Sequence, residues 1–575
     1  MLPVLQIPRR LGIRHWLAFG ETMASDQIVS ITREERAAEA KWQAGLGEYL
    51  LPGLVFLTSS FYLLAFCRYS ALEPDEGIVL QGAERILRGQ VPYRDFFSFY
   101  TPGSYYLVAG LFRAFGDSFF VARGSVALAG GCCAMMTYLL TRRCCSCGIS
   151  LFAAALTAFA GVSYRFLVLH NWYSTALCCM ALYSAIRVLE TGMLIWSFAT
   201  GFIVSLAILF EQSKGAGLLI GLALGLTILV WKKNLRRSKK EYVASVIGFS
   251  LPFLLTFAYF SHAHAAADMV RAWLWPLQHY ATANHVPFGY QNWSSQNRHE
   301  LFHTGPLLIR VVKFIGVSPG FIVPALPIVA ILVLAYLILR TQGFQEELPF
   351  ERFYTFVLVG GTCIGLLFSV VVSRADVIHF MYLTPVWYVV LAWILGIRPR
   401  PKILSNAQKL FFAYICFAFF LMGFAMLLHV RGAAIRIETR RGWITTAAED
   451  TVLPFIQRYT RAGDEVLVYP YLPLYNYLTA TGSPVPLDYF QPGMNTPEQA
   501  EQILAALRSQ GAQGVIFEPD FAEKAGTAWP KTPRSVVGSD PVARYLRENY
   551  RVCESLHSPM GWKLEFRVPS GRNCP

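Results

Sequence analysis

The chain has 575 residues, of which 54% are hydrophobic and only 15% are charged, whereas about 25% are charged in an average soluble domain. Apolar runs of about twenty residues, the length that spans a bilayer, recur from Leu51 to Val430 and then stop. The net charge of +14 is concentrated in short loops between these runs, which is typical of the cytoplasmic side of a membrane protein. This placement excludes nucleic acid as the expected partner and predicts a large membrane domain followed by a small soluble one.

The apolar runs predict a polytopic α-helical protein of the inner (plasma) membrane with about eleven transmembrane helices. With the N-terminus inside, where the basic loop 232–240 also lies, an odd number of helices places the C-terminus outside. We expect the helices at roughly 49–67, 118–141, 149–169, 172–190, 194–211, 215–231, 243–262, 318–340, 353–373, 380–396 and 409–430. The predicted parts are a cytoplasmic segment 1–45, a transmembrane domain 46–431 with external loops 68–117 and 263–317, and an external α/β domain 432–575.

Both external loops contain amphipathic stretches. Between Ile78 and Arg88 the apolar residues share one helical face, while Gln81, Arg85 and Arg88 share another. The stretch 307–315 repeats this arrangement before the eighth predicted span. These patterns predict helices that lie in the membrane interface.

The C-terminal part alternates strand-like and helix-like segments. Residues 465–469 and 514–517 are predicted strands, and residues 497–509 are a predicted helix. Cys553 and Cys574 are the cysteines of this external part, and disulfides persist in oxidising compartments. We therefore predict a small α/β domain in which these two cysteines are bridged.

An acidic cluster directly follows the first predicted span. A carboxylate at the membrane surface, such as Asp75 or Glu76, can take a proton from an acceptor hydroxyl as that oxygen attacks a sugar carbon. We assign no role to Glu73, which precedes the turn. A solvated acidic loop is the alternative interpretation, and the amphipathic helix and aromatic segments that follow at once argue against it.

These features resemble the GT-C clan of membrane glycosyltransferases, which includes protein O-mannosyltransferases, lipid A aminoarabinose transferases and rhizobial lipopolysaccharide galacturonosyltransferases. The resemblance rests on the Asp75-Glu76 pair, an interfacial helix, Pro92-Tyr93 and the segment Tyr100–Tyr106. The aminoarabinose transferases carry an Arg where this chain has Ile78, and a Glu-Lys where it has Tyr100-Thr101. That particular substrate is therefore not expected.

The resemblance implies that Asp75 is the catalytic carboxylate, with Glu76 assisting. It also implies a polyprenyl-phosphate-linked sugar as donor, and we expect a lipid, glycan or protein of the cell envelope as acceptor. Fixed cations must stabilise the departing phosphate, and the candidates are Arg85, Arg88, Lys214 and Arg374. Headgroup contact by snorkelling side chains is the alternative for the first two.

Further substrate-binding candidates lie at the external ends of predicted spans or in the first external loop. Arg374, Asp376 and His379 form a polar turn that suits either sugar binding or a structural salt bridge. His170 and Asn171 precede aromatic residues, as in a sugar-stacking site or an aromatic belt. The complete set of substrate-binding candidates is Arg85, Arg88, Tyr93, Tyr100, His170, Asn171, Lys214, Arg374, Asp376 and His379.

Two other function classes remain open. A lipid or polysaccharide transporter requires charges deep within its spans or paired repeats, and the charges here lie chiefly at outer ends. The sequence His299-Glu300-Leu301-Phe302-His303 matches the zinc-protease motif H-E-x-x-H, but Gly305-Pro306 ends its helix at once. We expect no cofactor and leave a divalent cation open.

The predicted topology can be tested with reporter fusions. A reporter that is active only outside the cytoplasm is expected to be active after Pro575 and silent at Asn234, because the basic loop stays inside. Enzyme activity of the two fusions in intact cells provides the measurement. The reverse pattern would contradict every external site assignment.

Overall fold

A computed structural model describes residues 50–233, 238–280, 284–339, 350–396, 402–491, 493–532, 536 and 538–575. Residues Val55–Pro575 form one compact unit. The predicted cytoplasmic segment 1–45 and the centre of the basic loop, residues 234–237, lie outside the described residues.

In the part of the chain that the structure describes, seventeen α-helices precede the strands. They are α1 Leu51–Leu64, α2 Pro74–Leu87, α3 Gly103–Phe115, α4 Phe119–Arg142, α5 Cys147–Leu156, α6 His170–Thr191, α7 Leu194–Phe210, α8 Gln212–Lys233, α9 Lys239–His262, α10 Ala266–Trp275, α11 Ser295–Phe302, α12 Leu307–Val317, α13 Pro319–Leu339, α14 Phe350–Ser373, α15 Val377–Met381, α16 Thr384–Gly396 and α17 Lys402–Gly432. Each predicted span overlaps at least one of these helices. In the described residues, eight helical segments are long and apolar enough to cross a membrane, and α1, α7 and α16 are shorter apolar helices.

The C-terminal part is α/β, as predicted. Its elements are β1 Ile435–Thr439, β2 Gly442–Thr446, α18 Val452–Tyr459, β3 Val466–Tyr469, α19 Leu474–Leu478, α20 Pro497–Ser509, β4 Gly514–Phe517, α21 Phe521–Ala528, α22 Pro541–Asn549, β5 Tyr550–His557 and β6 Lys563–Pro569. Strands β1 and β2 form a hairpin, and the other four form a sheet of order β3-β4-β6-β5 in which only β3 and β4 are parallel. The predicted bridge between Cys553 and Cys574 is present, with 5.5 Å between the Cα atoms.

Helix α2 begins with Pro74, whose missing N–H costs nothing at the first helical position. Two carboxylates in its first turn favour the positive end of the helix dipole. The sequence predicts an interfacial helix, with headgroup contact as the alternative role of Arg85 and Arg88. Arg85 instead pairs with Asp488 at 2.7 Å. Gln81 is buried, and a Cβ atom on Gly77 would lie 2.7 Å from the Cα atom of Leu474 in α19. The C-terminal part therefore covers this helix.

Glycines let two membrane helices approach closely and align the helix ends that form the site. Helix α8 packs along α14, and a Cβ atom on Gly221 would lie only 2.6 Å from the carbonyl oxygen of Gly361. Because the N-terminus of α8 then lies beside the C-terminus of α14, the polar residues around Lys214 and Arg374 are carried to the same end of the helix bundle.

A buried ion pair ties α2 to the membrane helix α4. The guanidinium of Arg123 donates to both carboxylate oxygens of Glu76 at 2.7 and 2.6 Å, and the backbone N–H of Val168 donates to the same carboxylate at 3.0 Å. Arg123 also donates to the carbonyl oxygens of Phe66 and Tyr69. Glu76 is therefore a structural residue in this arrangement.

We predict that Glu76→Gln lowers stability strongly. The substitution leaves the buried charge of Arg123 uncompensated, and removing one partner of a buried pair costs about 3–5 kcal/mol. Differential scanning fluorimetry of the detergent-purified protein is expected to show a lower melting temperature. A variant with normal stability but no sugar transfer would restore the assisting catalytic role that the sequence suggested.

Candidate active site

A cavity of about 660 Å³ lies between the ends of several membrane helices and the C-terminal part, within the size range of small-molecule sites. It is lined by residues of both parts. The membrane part contributes Glu73, Asp75, Tyr100, Arg165, His170, Asn171, Glu211, Gln212, Asn284, Asn292, Arg374, Asp376, His379 and Tyr382, among others, and the C-terminal part contributes Tyr471, Gln491, Glu518, Lys524, Trp529 and Trp562, among others.

Asp75 lies in the first turn of α2, and its side chain is 35% exposed. One carboxylate oxygen accepts a hydrogen bond of 2.8 Å from the Tyr471 hydroxyl. The other lies 3.4 Å from a guanidinium nitrogen of Arg165. The carboxylate of Asp75 thus lines the cavity, is oriented by Tyr471 and Arg165, and remains accessible from the cavity.

Glu73 and Arg165 belong to the site, and the sequence analysis assigned a role to neither. The guanidinium of Arg165 donates to Glu73 at 2.9 Å and reaches Asp75 as well. Burial raises the pKa of the Glu73 carboxyl, and Arg165 opposes that shift. The missed signal was an Arg at the outer end of a predicted span, where ionisable side chains are functional suspects by default.

A second polar cluster joins the start of α6 to the start of α8. The Lys214 ammonium contacts Glu211 at 2.8 Å and donates to the backbone and side-chain oxygens of Asn171 at 3.1 and 3.2 Å. Lys214 is buried and does not line the cavity, so it supports cavity residues instead of contacting a substrate. His170 does line the cavity, and its ring lies 4.5 Å from that of Tyr100.

The predicted turn after α14 forms a third cluster. Arg374 donates to Asp376 at 2.6 Å, to Asn292 at 3.0 Å and to the carbonyl oxygen of Ala528 at 2.6 Å. Burial alone would raise the pKa of Asp376, but His379 and Arg374 hold it below its ordinary value. The three predicted residues of this turn therefore meet in one ion-pair network that also lines the cavity.

Besides Lys214, four predicted site residues lie away from the cavity lining. Glu76 is held by Arg123, as described above. Arg85 donates to both oxygens of Asp488 at 2.9 and 2.7 Å, and Arg88 is 38% exposed with its nearest carboxylate, Glu84, at 3.7 Å. The Tyr93 hydroxyl donates to the carbonyl oxygen of Tyr100. Arg85 is kept from the cavity because the C-terminal part covers its side of α2.

The H-E-x-x-H segment does not lie on one helix. Helix α11 ends at Phe302, so His303 follows it, and the rings of His299 and His303 stack at 5.3 Å. Among the described residues, no group of three His, Cys, Asp or Glu side chains is placed to hold a metal ion.

The amino-acid sequence is similar to those of known proteins. Residues 100–275 match the family model described as dolichyl-phosphate-mannose-protein mannosyltransferase. Over 248 residues the chain is 28% identical to undecaprenyl phosphate-alpha-4-amino-4-deoxy-L-arabinose arabinosyl transferase 2 of Pseudomonas fluorescens, an alignment that covers 40% of this chain and 41% of that protein. The chain therefore spans about two fifths of the length of this curated relative.

Two solved structures are similar at low sequence identity. The Archaeoglobus fulgidus oligosaccharyltransferase complex with Zn and sulfate has a TM-score of 0.50 and 13% identity, covering 90% of this chain and 75% of that one. ArnT from Cupriavidus metallidurans bound to undecaprenyl phosphate has a TM-score of 0.49 and 14% identity, covering 92% and 100%. The oligosaccharyltransferase likeness shows a shared fold. The chain is a multi-pass inner-membrane protein, and the predicted resemblance to GT-C clan glycosyltransferases is confirmed.

Proposed function

We propose that this protein is an integral membrane glycosyltransferase that moves a sugar from a polyprenyl-phosphate donor to a cell-envelope acceptor on the external face. The observation that carries the proposal is the position of Asp75. Its partly exposed carboxylate faces a cavity at the ends of the membrane helices, between hydrogen-bonding and ion-pairing partners. The family match and the curated relative support a lipid-phosphate-linked donor.

In the proposed reaction, Asp75 accepts the proton of an acceptor hydroxyl. The acceptor oxygen forms a bond to the anomeric carbon, and the bond from that carbon to the phosphate oxygen breaks. Polyprenyl phosphate leaves with the electron pair, and the product is the glycosylated acceptor. Inversion at the anomeric carbon is carried over from the clan.

In this proposal, cations that line the cavity stabilise the negative charge of the departing phosphate. Arg374 keeps its predicted role and Arg165 joins it, whereas Arg85, Arg88 and Lys214 do not line the cavity. We propose no metal or cofactor in this step.

The orientation is also a proposal. We place the C-terminal part outside the cytoplasm, where a bridge between Cys553 and Cys574 is stable. The acceptor then reaches the cavity from the external side or the outer leaflet.

An apolar groove of about 520 Å³ adjoins the cavity and suits a prenyl chain. It is lined by α12, α17 and the segment before α11. Tyr164 and Trp293 line the groove, whereas their neighbours Arg165, Asn292 and Ser294 line the cavity. The groove and the cavity therefore share a wall, with an apolar surface on one side and polar or charged groups on the other. The prenyl chain of the donor suits the first side and its phosphate suits the second.

We predict that Gly316→Phe raises the KM for the donor about tenfold with little change in kcat. A phenyl ring in the groove removes contact with roughly two prenyl methylene groups, at about 0.8 kcal/mol each. Gly110→Phe is the matched control, since a Cβ atom there meets no other atom within 4 Å. An unchanged donor KM in the first variant would exclude the groove as the prenyl site.

We predict that Asp75→Asn lowers kcat by about 10²–10⁴-fold, since the amide keeps the shape but cannot accept the proton. Transfer of labelled sugar from lipid-linked donor in proteoliposomes measures this. Thermal stability is expected to change little, because the side chain is partly exposed.

Two further variants serve as comparisons for the activity of Asp75→Asn. Asp268→Asn, an exposed acid away from the cavity, is expected to have normal activity. Glu73→Gln is expected to lower activity to a smaller extent, because Arg165 loses its main partner. Near-normal transfer by Asp75→Asn would remove the main support for the enzyme, and lipid translocation without transfer would favour a transporter.

A further inference from the structure

Aromatic residues of the C-terminal part line one side of the cavity. Phe521 is the first residue of helix α21, Trp529 directly follows that helix, and Trp562 lies in the turn between β5 and β6. All three are partly exposed. Flat aromatic faces beside a few placed polar groups are typical of small-molecule sites.

Trp529 is held close to the proposed base. Its indole N–H donates to the side-chain oxygen of Asn284 at 3.0 Å. Its ring lies edge-on to Tyr471 at 6.0 Å, and the Tyr471 hydroxyl donates to Asp75. A sugar ring bound against Trp529 is therefore separated from Asp75 by one side chain, that of Tyr471.

A polar pair accompanies these rings. The Lys524 ammonium lies 2.9 Å from Glu518 and 5.1 Å from the Trp562 ring centre. Glu518 is 3% exposed, whereas Lys524 is 32% exposed. Burial raises the pKa of the Glu518 carboxyl, and Lys524 opposes that shift. The pair offers a hydrogen-bond donor and an acceptor to adjacent hydroxyl groups.

We propose that Trp529, Trp562, Lys524 and Glu518 form a binding subsite for a sugar ring of the acceptor. Resting on the proposed function, this makes the acceptor a glycan or the saccharide headgroup of a glycolipid. A sugar ring presents an apolar C–H face to an aromatic ring and hydroxyls at its rim. A peptide acceptor that binds by strand addition instead needs an exposed strand edge, and none of these four residues lies within a strand.

Binding can be measured without transfer. Saturation-transfer-difference NMR of the full-length protein in detergent is performed with the lipid-free core oligosaccharide of lipopolysaccharide as probe. We expect saturation of sugar ring protons in the native protein and in Asp75→Asn, and a loss of affinity of about tenfold or more in Trp562→Ala.

Control variants separate this role from folding. Trp562→Phe is expected to retain most binding because it keeps an aromatic face. Tyr459→Ala removes an exposed aromatic of the same part that does not line the cavity, and it is expected to bind normally. Equal melting temperatures of all variants verify that they fold.

The inference is overturned if the native protein binds a Ser/Thr-rich peptide and not the oligosaccharide, or if Trp562→Ala binds the oligosaccharide normally. Either result leaves the transfer assay with Asp75→Asn unaffected. Conversely, the native protein could bind the oligosaccharide through Trp562 and yet transfer no sugar. That result would contradict the proposed glycosyltransferase function and support the subsite.

Discussion

The ion pair between Arg123 and Glu76 is the interaction on which the site depends. Both side chains are fully buried, and such a pair is tolerated only when its geometry is good and its remaining groups are hydrogen-bonded. Here the carboxylate also accepts from Val168. Because Asp75 is the preceding residue, the pair that holds the first turn of α2 also fixes the direction of the proposed base.

The C-terminal part completes the site by covering that same helix. Arg85 binds Asp488, Tyr471 binds Asp75, and Arg374 binds the Ala528 carbonyl. These contacts link α2 and the turn after α14 to one covering surface. Although the division at residue 432 is a reasonable prediction from composition, the two parts share a compact unit and a common cavity.

The carboxylates around the cavity differ in how tightly a cation holds them. Asp376 has Arg374 at 2.6 Å, and Glu211 has Lys214 at 2.8 Å. Asp75 has a cation only at 3.4 Å and is the most exposed of the three. Of the three carboxylates, Asp75 is therefore the most accessible to an acceptor in the cavity.

The sequence by itself determined the elements whose causes are local. Span hydropathy located the membrane helices, and turn and capping signals located the strands and the helix of the C-terminal part. The acids after the first span led to Asp75. Only the tertiary structure revealed that Arg85 meets Asp488, 403 residues away, and that Tyr471 meets Asp75. An arginine on a polar helical face is satisfied equally by water, headgroups or a distant carboxylate, so periodicity cannot show which partner covers it.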